Sequence, residues 1–180
     1  HTAVEVFGKL QKLYLDCIIE KIWPELLSVY DSWVSLLNSP YYINNARYVA
    51  WRRDNHNIGD RIQEHKALFE LADSDKRKIL LELGNIFQNG PELIRARNEK
   101  FVEVELRRWE NFLDSIESKP LTENQRHAVV HDEDNNLVIA GAGTGKTSTI
   151  VAKVGYILKR GLANPEEILL LAFTRKAAEE

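Results

Sequence analysis

Over residues 2–118 apolar residues recur three and four positions apart, with few alternating runs, which predicts helix nearly throughout. Val6, Leu10, Leu13, Tyr14, Cys17 and Ile18 make one amphipathic stripe. Leu26, Leu27, Tyr30, Trp33, Val34 and Leu37 make a second after Pro24, whose missing N–H suits the first turn of a new helix. Asn38, Ser39 and Pro40 break the run. A short helix is expected over 58–71 and another over 75–87 with Ser74 as its cap, and Asn89-Gly90-Pro91 is a stop-and-restart signal. The last helix of this half runs over 92–116, with Ile94, Phe101, Val104, Trp109, Phe112 and Ile116 on one side. At about 37 Å by the usual rise, it can be one arm of an antiparallel coil or a brace across a second domain.

The pattern changes character at Ser118-Lys119-Pro120, a polar, proline-containing segment that reads as a domain boundary. Thr122 resembles a helix N-cap with Gln125 three residues on, the two halves of a capping box. Leu137, Val138 and Ile139 form a short apolar run, and Ile150, Val151, Val154, Ile157 and Leu158 recur at helical spacing after a glycine-rich turn. Gly161 sits where a helix C′ residue belongs, behind Lys159 and Arg160. Asn164-Pro165-Glu166-Glu167 then caps a turn before a second apolar run over 168–173. Strand, helix and strand in that order predict an α/β crossover. The fold class expected is α/β: an all-α helical N-terminal region over 1–117, followed over 118–180 by the start of a parallel-sheet domain, truncated after its second strand.

The stretch NLVIAGAGTGKT, residues 136–147, carries the chemistry. Its spacing is that of G-x-x-x-x-G-K-[ST], with Ala140 at the first position, then Gly141, Ala142, Gly143, Thr144 and Gly145 ahead of Lys146, Thr147 and Ser148. A loop that curls around a polyphosphate points several N–H groups inward and brings the main chain too close for side chains, which is the use of the glycines. The start of the next helix adds uncapped N–H donors and a partial positive charge. Lys146 is placed to reach the terminal phosphates, and the Thr147 hydroxyl to take a position on Mg²⁺. The ligands expected are therefore a nucleoside triphosphate, taken as ATP on the resemblance given below, and Mg²⁺.

Charge and composition narrow the partners. A formal net charge of −3 argues against a generally basic nucleic-acid binder and leaves only local contact with a strand. Arg47, Arg52 and Arg53, interleaved with Tyr48 and Trp51, can stack on the bases of a single strand, or can form a helix with a core face and a wet face. Cys17 is the only cysteine, so no disulfide forms within the chain and a reducing, cytoplasmic setting is expected. The five histidines, at 1, 56, 65, 127 and 131, show no metal spacing. No apolar run reaches the roughly 20 residues that span a bilayer, so no membrane association is expected. The absence of methionine and the start at His1 lead us to expect a segment of a longer product.

LTENQ, AGAGTGKT and LAFTRKAAEE, in that order and at these distances, resemble the opening motifs of superfamily 1 DNA helicases of the UvrD-like group. The resemblance covers about 97–180; the first ninety residues match only as a helical extension before a motor. It implies that Gln125 reads the adenine edge, for which an amide has the matching donor and acceptor, while its capping role is the competing explanation. It also implies that 118–180 is the start of a P-loop (RecA-like) parallel-sheet ATPase domain, that residues 140–148 hold the nucleotide and that Phe173, Thr174 and Arg175 touch single-stranded DNA, against core packing for Phe173. Arg175 stands where the family more often has asparagine, and Ser148 where a basic residue is common.

The function implied is the N-terminal part of an ATP-dependent DNA helicase, translocating 3′ to 5′ on single-stranded DNA or opening a forked duplex, with a possible protein partner on the helical region. Phosphoryl transfer to water needs an Mg²⁺-holding carboxylate, a water-orienting group and an arginine besides the loop. Past Phe173 the only acids are Glu179 and Glu180, so the 180 residues alone are expected to be inactive. Two other functions fit the same residues: a helicase-like ATPase that remodels a protein complex such as stalled RNA polymerase, and an interaction module with an inactive nucleotide fold.

Overall fold

The computed structural model describes residues 2–141 and 143–171, apart from the side chains of Ala67 and Leu68. The elements are α1 (Ala3–Leu37), α2 (Asn45–Asp54), α3 (His56–His65), a 3-10 segment (Lys66–Leu71), α4 (Ser74–Arg108), α5 (Glu110–Ser115), α6 (Glu123–Val130), α7 (Lys146–Arg160) and a 3-10 turn (Pro165–Glu167). The chain divides into two compact units, His1–Arg97 and Asn98–Glu180, and the division falls within α4.

The first unit has a dry core. Leu15, Ile19, Ile22, Leu26, Val29 and Trp33 are buried along α1 at alternating spacings of four and three, the stripe that a helix facing a core requires. Because this stripe runs unbroken through Pro24, α1 is one helix of 35 residues with the proline inside it, and the restart expected there does not occur. Packing on both sides of the proline outweighs one lost backbone bond. By contrast, Asn89 departs from helical geometry (φ −120°, ψ 19°), so the punctuation at Asn89-Gly90-Pro91 does kink α4. Trp33, Trp51 and Phe87 pack ring to ring, 4.8 and 5.5 Å between successive centroids.

That aromatic cluster decides how α2 is used. Tyr48 and Trp51 are buried, the Trp51 indole donates to Ser32 Oγ at 2.9 Å, and Arg52 donates to the Phe87 carbonyl and the Tyr48 hydroxyl. Arg47 donates to the Tyr42 carbonyl and Ser39 Oγ. These aromatics are core, Arg52 ties α2 to α4 and Arg47 ties α2 to the preceding loop, so the rings are not available to stack on bases.

The second unit corrects the expected fold class. Among the described residues the architecture is all-helical, and neither the run 137–139 nor the described part of 168–173 forms a strand of a parallel sheet. Leu137 and Ile139 are 85% and 89% exposed, and Leu169 and Leu171 are each 81% exposed. The physical reason is pairing: an extended segment gains its hydrogen bonds and its buried face only beside another strand, and even two strands alone are marginal in water. What is packed here is helix against helix. Val102, Leu113, Leu121, Val129, Val130, Ala152 and Tyr156 are buried, and Arg126 closes the turn before α6 by donating to the Leu121 carbonyl at 2.8 Å and pairing with Asp114.

Within this unit a buried carboxylate organises α7. Glu105, 2% exposed, accepts from the Tyr156 hydroxyl at 2.8 Å, from Arg160 Nε at 2.9 Å and from the Trp109 indole at 3.1 Å. A carboxylate in an apolar setting needs such donors, and all three bonds converge on one oxygen, Oε2. Burial, followed by the bond to Glu105, pushes the Tyr156 phenol well above the usual tyrosine range.

Candidate nucleotide-binding site

The site is assembled from the start of α6, the extended residues before the glycine-rich loop, the loop itself and the first turn of α7. Thr122 caps α6 because its hydroxyl accepts from the Gln125 N–H, while the Thr122 N–H donates to Gln125 Oε1 at 2.7 Å, so the capping box expected from LTENQ forms. Only the carbonyl end of the Gln125 amide is spent on that box. The amide nitrogen donates to the Thr144 carbonyl at 3.1 Å and also approaches the Gly145 carbonyl at 3.5 Å. One side chain therefore joins the start of α6 to the loop, through both ends of a group that carries a donor and an acceptor.

The loop has the backbone that its glycines allow. Gly143 and Gly145 have φ of 72° and 83°, in the left-handed region where a side chain is strained. Gly145 is doubly constrained, since a Cβ there would stand 2.4 Å from Gln125 Nε2. Immediately after it α7 begins with no side-chain cap, which leaves the first N–H groups of the helix to other partners. The Thr144 hydroxyl donates to the Gly141 carbonyl at 2.8 Å, and Thr149, buried one turn into α7, donates to the Gly145 carbonyl at 3.0 Å.

Lys146 is exposed and folds back over the loop, its ammonium donating to the carbonyls of Ala140 at 3.1 Å and Gly141 at 2.6 Å. A cavity of about 280 Å³ lies against these residues, lined among others by Gln125, Val138, Ala140, Thr144, Lys146 and Thr149. Of the residues singled out in the sequence, Gln125, Ala140, Thr144 and Lys146 thus border one hollow. The Gly141 and Gly145 carbonyls accept from the Lys146 and Gln125 side chains that line it, and Thr147 and Ser148 stand on the first turn of α7. Ala142, Phe173, Thr174 and Arg175 lie outside the described residues.

Sequence reasoning missed two contributors. Thr149 lines the cavity and anchors the turn, and its place in the motif-to-helix junction is the signal that was there to read. Glu105 carried no signal, because the residues that make it a buried anchor for α7 lie 51 and 55 positions further along.

The donor set fits a polyphosphate: backbone of left-handed glycines, an uncapped helix start and an ammonium whose present partners are main-chain carbonyls that an anion can replace. A nucleotide bound here would be held through the backbone of 143–146 and the Lys146 ammonium, with Thr147 positioned for a cation.

Comparison with known proteins bears on this segment. Among curated proteins, DNA helicase IV of Escherichia coli (strain K12) is 53% identical over 83 residues, 46% of this chain and 12% of the relative. DNA helicase II of Rickettsia typhi is 39% identical over 71 residues, 39% of this chain and 10% of the relative. ATP-dependent DNA helicase UvrD1 of Mycobacterium leprae is 40% identical over 60 residues, 33% of this chain and 8% of the relative. The chain thus spans about a tenth of the length of each of these relatives. No solved structure matches it at a significant level. Residues 121–180 match the model of the UvrD/REP helicase N-terminal domain, and that match spans the cap of α6, the glycine loop and the start of α7.

Proposed function

We propose that residues 121–180 form the nucleotide-binding opening of an ATP-dependent DNA helicase, with ATP and Mg²⁺ as its ligands. The observation that carries this reading is the junction at Gly145, where a left-handed loop, an uncapped helix start and the Lys146 ammonium meet beside a hollow bordered by Gln125. Lys146 exchanges two neutral carbonyls for anionic phosphate oxygens, which adds a charge–charge attraction to the hydrogen bonds of its ammonium. Gln125 releases the Thr144 carbonyl and turns its amide toward a base, and Thr147 offers a hydroxyl to the cation.

In the whole helicase the nucleotide supplies the energy for 3′-to-5′ translocation along single-stranded DNA, with Phe173, Thr174 and Arg175 on the strand. The names of the relatives support DNA as the substrate. The 180 residues bind nucleotide without turning it over, because the acids and arginine that phosphoryl transfer requires are not among the residues near the loop.

Titration of the 180-residue chain with a fluorescent ATP analogue and Mg²⁺ tests the reading. Saturable binding is expected, lost at least tenfold in Lys146→Ala with the far-ultraviolet circular dichroism unchanged. Equal binding by that variant, or none by the parent chain, would end the proposal.

A further inference from the structure

The first five turns of α1 carry a second stripe that the core does not use. The residues buried or half-buried by the rest of the first unit are Gly8, Gln11, Leu15, Asp16, Ile18, Ile19 and Ile22, Asp16 standing at the edge of that face. The opposite side presents Ala3, Val6, Leu10, Leu13 and Cys17, all exposed, with Val6 at 47%, Leu10 at 59% and Leu13 at 67%. Their spacing is three, four, three, four, the a/d alternation that a coiled-coil seam uses. Phe7 and Tyr14, 62% and 56% exposed, border the seam on one side, and Lys9 and Asp16 border it on the other.

We propose that this face pairs with the same face of a second copy of the chain, the two helices running antiparallel about a two-fold axis between Leu10 and Leu13. The flanking residues select both the occupant and the direction. In an antiparallel pair a positions meet d positions, so Leu10 faces Leu13 of the other copy and Val6 faces Cys17. The flanks then meet their own kind, Lys9 against Asp16 on one side and Phe7 against Tyr14 on the other, and each match occurs twice by symmetry. The face is thus complementary to itself in charge and in aromatic surface. A parallel pair would set Lys9 beside Tyr14 and Cys17 beside Cys17, losing the first charge match. Asp16 also feels Lys76 in its own chain, so the charged match sets direction while the seam supplies the affinity. Two heptads bury less than the standard interface of about 1,600 Å², so the dimer is weak and reversible, and α1 arrives already helical because its C-terminal half is locked in the core.

Disulfide trapping tests the geometry. Val6 and Cys17 are eleven residues, and so about 16 Å, apart along one helix, too far to bridge within a chain. Under mild oxidation Val6→Cys is expected to give a covalent dimer, while the parent chain, with Cys17 alone, gives little. Sedimentation equilibrium of the parent chain is expected to show a monomer–dimer equilibrium at micromolar to tens of micromolar concentration. Leu10→Glu/Leu13→Glu is expected to weaken it at least tenfold with helicity unchanged, and Lys9→Asp/Asp16→Lys to leave it intact while Lys9→Asp alone weakens it. The proposal falls if the chain is monomeric throughout that range, if Cys17 alone cross-links as fast as the Val6→Cys variant, or if the leucine variants dimerise unchanged.

Discussion

The two units solve the same problem with different chemistry. The first sheds water from a continuous apolar core in which Leu26, Ile43 and Leu83 have no exposed surface and Trp51 stacks on Phe87. The second has a smaller apolar core and spends a buried Glu105 on Tyr156, Arg160 and Trp109 to hold α7, while leaving Leu137, Ile139, Leu169 and Leu171 in water. A dry core is indifferent to direction, whereas a carboxylate with three fixed donors holds one helix in one orientation. The helix so held is the one whose first turn meets the glycine loop. The unit that carries the candidate site is therefore the one in which rotation of a helix would do most harm, and that rotation is opposed by hydrogen bonds rather than by packing alone.

Glu105→Ala should break this contrast hardest. Arg160, whose side chain is 13% exposed, would be left without its carboxylate, a loss of about 3–5 kcal/mol for a buried pair that loses one partner. Hydrogen exchange is expected to rise across α7 and the loop while the amides of α1 and α2 keep their protection, and uniform change in both units would refute the division of labour. The matching change in the first unit is Leu83→Ala, expected to cost roughly 2–5 kcal/mol through the lost contacts and the cavity left behind. Urea unfolding followed by tryptophan fluorescence should register it, with the order of protection inverted between the two units.

Gly145→Ala sharpens the comparison inside the second unit. The left-handed backbone and the 2.4 Å approach of Gln125 Nε2 predict a cost of about 1–2 kcal/mol, together with weakened analogue binding, because the amide must leave the loop. The smallest effect belongs to Tyr156→Phe, which removes one bond to Glu105 for about 1 kcal/mol. The phenol is raised in the fold, so its contribution is complete below the ordinary tyrosine value near pH 10 and is lost as pH rises above it. Parent and variant stabilities should converge in alkaline solution, and a constant gap between pH 8 and 11 would contradict the assignment.

Much of the local structure was legible because its causes are local. Thr122 and Gln125 announce a capping box three residues apart, Gly161 ends α7 with φ 68°, and Asn89-Gly90-Pro91 kinks α4, all as the residues themselves require. Pro24 misled for the opposite reason: its local preference was overruled by Ile22 and Leu26, which bury on either side of it. The apolar runs at 137–139 and 168–171 misled more, since a strand is a statement about a neighbour and periodicity over four residues says nothing of one. At the candidate site the glycines and Lys146 could be named in advance. That Gln125 reaches the Thr144 carbonyl depended on how eighteen intervening residues return the chain, and that Lys146 rests on the carbonyls of Ala140 and Gly141 on how the loop curls back over itself.

The amino-acid order alone determined the capping box at Thr122, the stop of α7 at Gly161 and the kink at Asn89, for these follow from steric and hydrogen-bonding preferences within a few residues. Only the tertiary structure decided that Tyr48 and Trp51 are core, that Glu105 is a buried anchor and that one face of α1 packs inward while its seam faces solvent. Burial and charge pairing are properties of distant residues brought together, and a linear pattern records which side chains can be buried without recording against what.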